Sequence, residues 1–215
     1  WDRATAVDCA AALHRAAALQ PRAARCRPYR LAVFDMDSTL IDCEVIDELA
    51  ARADVGEEVA EITAQAMRGE LDFDESYRTR LALLEGLDAR AVDELADRLP
   101  VKEGLREMTT TLKAQGMTLA IFSGGFMPIA ERLRADYGFD EVVANTLEIA
   151  SGKVTGRVVP PIVNREQKAA ALQALATRLG IGVDACIAVG DGANDLDMMA
   201  MAGLGVAFHA KPAVR

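Results

Sequence analysis

The chain has 215 residues, 51% of them apolar but only 5% aromatic, with 27% charged and a formal net charge of -9. That length buries an aliphatic core in one domain, or one domain plus an insertion, and apolar runs mixed with charge mark a globular chain, not a disordered one. The negative balance excludes a general attraction to nucleic acid or to an anionic membrane, so a phosphate-bearing ligand would need a locally positive site.

In chain order, residues 4–20 carry an Ala-rich helical pattern stopped by Pro21, and Arg22, Arg25, Arg27 and Arg30 follow. Residues 1–30 therefore read as a helical segment or tether. Residues 31–34 form an apolar run, expected to be a short strand buried on both faces, that leads directly into Asp35 and Asp37. From Glu44 to about Gly104 the pattern is almost wholly helical. Ile46, Leu49, Ala50 and Ala53 share a face, as do Val59, Ile62 and Ala66; Phe73, Tyr77, Leu81 and Leu84 repeat at three and four; Val92, Leu95 and Leu99 close the run before Pro100. Roughly sixty helical residues are too many for a simple crossover between parallel strands, so 45–103 is expected to be a small helical cap.

The core resumes with a strand over 117–122 that ends in Ser123-Gly124-Gly125. A hairpin follows over 142–149 and 154–159, turning at Ser151-Gly152, then a helix after Asn164 with Ala169, Leu172, Ala176 and Leu179 on one side. Residues 185–189 make another buried strand, ending in Gly190-Asp191-Gly192-Ala193-Asn194-Asp195, and 204–208 a short last one. Strands alternating with helices predict an α/β fold with a doubly wound, mostly parallel sheet, its core formed by 31–44 and 104–215. Cys9, Cys26, Cys43 and Cys186 form no CxxC pair and no zinc spacing with His14 or His209, which fits reduced thiols and a cytoplasmic location. No uncharged apolar run approaches membrane-spanning length, and Asp8, His14 and Arg15 interrupt any signal-peptide core.

The chemistry-bearing residues fall at strand ends. Asp35 and Asp37, two apart in extended backbone, face one space, where two carboxylates need a cation between them or a proton on one. A metal-bound carboxylate can be a nucleophile and a protonated one a general acid. Helix capping, with Ser38 and Thr39 helping, accounts for one such Asp; it accounts less well for two where open α/β sheets hold ligands. Ser123 offers a hydroxyl, and Gly124 and Gly125 allow backbone N–H groups to approach a ligand, although Gly-Gly alone also makes an ordinary turn. Lys168 by itself reads as a solvated lysine. The run from Gly190 to Asp195 is no EF-hand, because Leu196 and Ala202 stand where Gly and Glu are needed, but Asp191 between glycines suits a hard cation held by oxygen ligands.

Asp35-Met36-Asp37-Ser38-Thr39-Leu40-Ile41 resembles the first motif of the haloacid dehalogenase superfamily, in the Ser-Thr form of its phosphoserine phosphatase branch. Ser123-Gly124-Gly125, Lys168 and the run from Gly190 to Asp195 are similar to the second, third and fourth motifs, and the resemblance spans 31–212. It implies a Rossmann-like core with the cap inserted after the first strand. It also implies Mg²⁺-dependent hydrolysis of O-phospho-L-serine through an aspartyl phosphate, the last step of serine biosynthesis. Asp35 would be the nucleophile and Asp37 the acid and base. Mg²⁺ would sit on the Asp35 and Asp191 side chains and the Asp37 carbonyl, with Asp195 steadying the metal shell. Ser123, Gly124, Lys168 and Asn194 would hold phosphate. Glu44 would take the ammonium, Arg80 the carboxylate through paired hydrogen bonds, and Met67 and Phe73 would cover the ligand.

Each of these cap residues has a plainer reading alone: Glu44 as a first-turn acid, Arg80 as a solvated helix residue, Met67 and Phe73 as core. Cys43, beside Glu44, is expected to be a packed, inert thiol unless it is exposed at the mouth. Relatives often carry a regulatory domain before the first motif, for which 1–30 is too short. They also continue for another strand and helix past the position of Arg215, so a truncated or partly ordered C-terminus is expected. The expected partners are a small phosphoamino acid and, at most, a second copy in a homodimer, with no nucleic acid and no membrane. The same motifs also suit a phosphatase for another small metabolite or a phosphotransferase that passes phosphate from Asp35 to an alcohol. A non-catalytic phospho-ligand binder fits them less well, with Asp35, Asp37, Lys168 and Asp191 all intact.

Overall fold

Four consecutive apolar residues are buried on both faces only where a strand has neighbours on each side and layers above and below. In the computed structural model, which describes residues 28–67, 70–211 and 214, β1 (Leu31–Phe34) meets both conditions. It pairs in parallel with β2 (Thr118–Phe126) and β5 (Cys186–Gly190), and all four of its side chains are buried. β3 (Glu141–Ala150), β4 (Lys153–Val159) and β6 (Leu204–Ala207) complete a sheet of order β4-β3-β2-β1-β5-β6, in which β4 alone is antiparallel to its neighbour. The architecture is the expected mostly parallel α/β sheet. Alternate residues divide the core, as the two-residue period of a strand requires. Ala32, Phe34, Leu119 and Ile121 join one apolar cluster; Leu31, Val33, Ala120 and Phe122 join the other, under Leu172 and Ala176.

Between β1 and β2 lie α1 (Val45–Arg52), α2 (Gly56–Met67), α3 (Phe73–Ala82), α4 (Arg90–Ala96) and α5 (Leu105–Ala114). α6 (Met127–Tyr137), α7 (Arg165–Arg178) and α8 (Leu196–Met201) follow in the second half. The chain leaves the sheet region and returns to it side by side: Ile41 bridges Val101, the Asp42 N–H donates to the Pro100 carbonyl at 2.7 Å, and the Lys102 N–H to that of Leu40 at 2.9 Å.

Two expectations change. The segment from 86 to 89 is not helical but adds itself to the β3–β4 hairpin. The Gly86 N–H donates to Val154 O at 2.9 Å, Val154 N–H to Leu87 O at 2.8 Å and Ala89 N–H to Gly152 O at 2.9 Å. An otherwise unpaired edge strand satisfies its backbone in this way, and the helical region is tied to the sheet at a second place. Strand β2 runs on through Gly124 and Gly125 to Phe126, with a register shift after Phe122, because buried Phe126 anchors the far side of that irregularity. Residues 4–20, expected to be helical, lie outside the described residues. Among the described residues no helix is long and apolar enough to cross a membrane.

Candidate active site

The carboxyl ends of β1, β2 and β5 open on one side of the sheet, the crevice where ligands bind in open α/β folds. A cleft of about 1340 Å³ lies there, closed over by α1, α2 and α3.

Its floor is built from β1, β5 and α7. Asp35 extends the β1 ladder, donating its N–H to Val189 O at 2.9 Å. Asn164 caps α7 by accepting the Gln167 N–H at 3.1 Å, which sets Lys168 in the first turn. From there the Lys168 ammonium donates to Asp35 Oδ1 at 2.6 Å and to Asp195 Oδ1 at 2.7 Å. Lys168 is 0% exposed, so the reading of a solvated lysine is overturned. Asp195 Oδ2 accepts the Asp191 N–H at 3.2 Å and the Gly192 N–H at 3.0 Å, folding the loop after β5 around its own carboxylate. A Cβ on Gly190 would sit 2.4 Å from that carboxyl carbon, so only glycine fits there. Burial pushes Asp35 up to about 7, with Lys168 opposing and Asp195 adding to the rise. Burial also works against the charge on Lys168, but Asp35 and Asp195 outweigh it and hold the ammonium protonated. Asp37 is raised well above its usual value by burial, then by Glu44 and Asp35.

Carboxylate oxygens of Asp35, Asp191 and Asp195 all lie within 4.8 Å of one another and could hold a divalent cation. Both Asp195 oxygens are already committed, whereas Asp35 keeps one oxygen clear of Lys168. Among the described residues, the Asp191 carboxylate meets a 3.4 Å hydroxyl contact from Thr39 and a 3.5 Å ion pair with Lys211. Asp35 and Asp191 are thus the side chains with ligand capacity, and an all-oxygen donor set suits a hard cation. Burial also raises Asp191, with Lys211 opposing.

The turn after Phe122 presents backbone to the cleft. Ser123 is fully buried and its Oγ accepts the Gly125 N–H at 2.8 Å; Gly124 and Gly125 themselves line the cleft. A Cβ on Gly125 would lie 2.6 Å from Asp37 Oδ2, which explains the glycine. Asn145 braces the turn: its Nδ2 donates to Gly124 O at 2.7 Å and its Oδ1 accepts the Val163 N–H at 2.8 Å. Asn194, half-buried, lines the same space.

The opposite wall comes from the helices. Asp37 Oδ1 accepts the Val45 N–H at 3.2 Å, so this Asp does cap α1 while its second oxygen faces Gly125. Glu44 does not cap; its Oε1 accepts from Ser38 Oγ at 3.0 Å and pairs with Lys211 at 3.6 Å. Arg80 is half-buried, its Nε donating to Ser76 O at 3.3 Å and its Nη1 to Thr63 Oγ1 at 3.5 Å. Burial lowers its pKa, opposed by Asp47 and Glu44. The Phe73 ring lies against Gly124, where an added Cβ would meet it at 3.2 Å. Met67 ends α2, and its side chain lies outside the described residues. Cys43 is half-buried, and burial followed by Asp37 pushes its thiol up to about 12, leaving it protonated and unreactive.

Sequence reasoning missed Lys211, Asn145, Thr39 and Thr63. Thr39 stands inside the motif of residues 35–41 but reads there as a helix cap; Lys211 and Thr63 sit in no recognisable spacing, and Asn145 gives one faint signal, a polar residue within a strand run. Nine carboxylates and three cations line the cleft, so a phosphate entering it needs added positive charge beyond Lys168.

The profile of the haloacid dehalogenase-like hydrolases matches residues 29–203. The phosphoserine phosphatase of Streptomyces coelicolor is 50% identical over 189 residues, and phosphoserine phosphatase SerB2 of Mycobacterium tuberculosis 51% identical over 189. Each alignment covers 88% of this chain and 46% of the relative, so the chain spans about half the length of these curated relatives. A solved structure described as a phospho-aspartyl intermediate analogue of phosphoserine phosphatase superposes with a TM-score of 0.81 at 40% identity, covering 87% of this chain and 90% of that one.

Proposed function

Because the chain belongs to the haloacid dehalogenase-like hydrolase family, we propose that it is a Mg²⁺-dependent phosphatase that hydrolyses O-phospho-L-serine to L-serine and phosphate. The observation that carries this reading is the buried Lys168 ammonium clamped between Asp35 and Asp195, at the floor of a cleft whose wall holds Glu44 and Arg80. The curated relatives named phosphoserine phosphatase support the substrate.

Lys168 fixes the Asp35 carboxylate and offsets phosphate charge beneath the cleft. A carboxylate oxygen of Asp35 attacks phosphorus and the bond to the serine oxygen breaks. Asp37, held protonated by burial and by its acidic neighbours, gives its proton to that departing oxygen. Asp37 then takes a proton from the water that attacks the aspartyl phosphate, releasing phosphate and restoring Asp35. Gly124, Ser123 and Asn194 bind the phosphoryl oxygens. Glu44 meets the ammonium, Arg80 the carboxylate, and Met67 and Phe73 shield the ester. Mg²⁺, on the Asp35 and Asp191 side chains and the Asp37 carbonyl and steadied by Asp195, would offset a repulsion of about 4 kcal/mol per charge pair near 4 Å at an effective dielectric of 20.

In this reading residues 45–103 are a cap over a core of 31–44 and 104–215. The reaction is the last step of serine biosynthesis in the cytoplasm, where the free thiols of Cys43 and Cys186 stay reduced, and a homodimer is compatible with it. The test is phosphate release from L-phosphoserine, phosphothreonine and an aryl phosphate, each with Mg²⁺, with EDTA and with Asp35→Asn. The expected outcome is a Mg²⁺-dependent preference for phosphoserine that falls on the order of 10⁴-fold or more in Asp35→Asn. Equal rates on all three esters would refute the substrate assignment. Loss of free phosphate to an added alcohol would identify a phosphotransferase instead.

A further inference from the structure

The face of α3 toward the cleft carries Phe73, Ser76, Tyr77 and Arg80, spaced three and four apart. Ser76 is the unexplained member. It is 1% exposed, yet among the described residues its hydroxyl finds no hydrogen-bond partner. Among the described residues only Tyr29 shares that condition, and Tyr29 does not line the cleft. Leaving a buried hydroxyl unpaired is unfavourable and therefore rare. Inside a helix the ordinary remedy is donation to the carbonyl one turn back. Thr63, Thr79, Thr111 and Thr177 all adopt it, donating to the carbonyls of Val59, Glu75, Glu107 and Gln173. Ser76 does not. Its own carbonyl accepts from Arg80 Nε at 3.3 Å, which places the guanidinium one turn further along the same face.

We infer that Ser76 is a substrate-binding residue, its hydroxyl donating to the carboxylate that Arg80 also holds. The inference rests on the phosphoserine reading above and deepens it by naming a neutral donor beside the charged one. The neighbouring guanidinium decides the polarity: an anion is attracted to the spot and a substrate ammonium is repelled from it, so the hydroxyl donates and does not accept. A clamp of one guanidinium and one hydroxyl selects esters that carry a carboxylate.

The experiment compares L-phosphoserine with phosphoethanolamine, which has the ammonium and the phosphate but no carboxylate, in the wild-type chain and in Ser76→Ala. The expected result is a rise in KM for phosphoserine of about tenfold or more, with kcat nearly unchanged and the KM for phosphoethanolamine unmoved. The unfolding temperature of Ser76→Ala should stay level or rise, since the variant deletes an unpaired buried hydroxyl. An unchanged KM for phosphoserine, or an equal rise for both esters, overturns the inference. So does a lower unfolding temperature with KM intact, which would show the hydroxyl satisfied within the fold. A wild-type chain that treats the two esters alike refutes the phosphoserine reading itself, and the inference falls with it.

Discussion

The floor and the wall of the cleft are built to different standards. On the floor Asp35, Lys168 and Asp195 are nearly or wholly buried, and their carboxylate and ammonium atoms meet partners at 2.6 to 3.2 Å. On the wall Glu44, Phe73 and Arg80 are half-buried, and among the described residues Arg80 donates to a carbonyl and a hydroxyl at 3.3 and 3.5 Å while the Ser76 hydroxyl finds no partner. A buried charge must be paired inside the protein, so the floor is finished before any ligand arrives. Glu44, Phe73 and Arg80 border solvent and Ser76 lies buried beneath them, and this wall leaves its donors for a ligand to satisfy. In the proposed reading, reaction chemistry falls to the first region and choice of substrate to the second.

Lys168→Met should break the floor most severely, because it leaves two carboxylates buried without their cation. A loss of about 3–5 kcal/mol in denaturant unfolding is expected near pH 8, together with loss of turnover. A loss below about 1 kcal/mol would mean that the floor is not held by this ammonium.

The floor should also respond to pH and metal in a defined direction. Unfolded Asp releases its proton near pH 4, whereas folded, metal-free Asp35 keeps its proton to about 7. The folded state therefore binds more protons across that window, and this contribution to stability is full below the window and declines as pH rises through it. Burial raises Asp37 and Asp191 as well, which gives the same sign. A divalent cation must displace such protons, so its stabilising effect should grow with pH up to about 7 and then level off. Unfolding temperatures with Mg²⁺ and with EDTA at pH 5, 6, 7 and 8 would measure it. A metal-induced shift that is the same at pH 5 and pH 8 would contradict the raised Asp35.

The wall should tolerate change in stability but not in recognition. Arg80→Lys keeps the charge and loses the planar fork, so KM for phosphoserine should rise about tenfold while kcat moves little and unfolding shifts by less than about 0.5 kcal/mol. A kcat loss as large as the KM effect would place Arg80 with the chemistry and erase the distinction between the two regions.

Much of the floor was legible beforehand because its residues follow short strands directly. A four-residue apolar run ending in Asp-x-Asp, a run ending in Ser-Gly-Gly and one ending in Gly-Asp-Gly each mark a carboxyl end, and parallel pairing brings those ends together. The amino-acid order by itself thus determined the α/β class, the helical stretch after β1 and the candidate carboxylates. Only the tertiary structure decided that Lys168 is buried, since a lysine on a helix carries no sign of the carboxylates that will surround it. The same holds for Lys211 between Glu44 and Asp191, for Asn145 behind Gly124, and for the 86–89 segment joined to the hairpin. The physical reason is range. Periodicity and turn chemistry act over a few residues and can be read locally. Desolvation and charge pairing depend on groups such as Asp35 and Lys168, 133 positions apart, that meet only when the sheet closes.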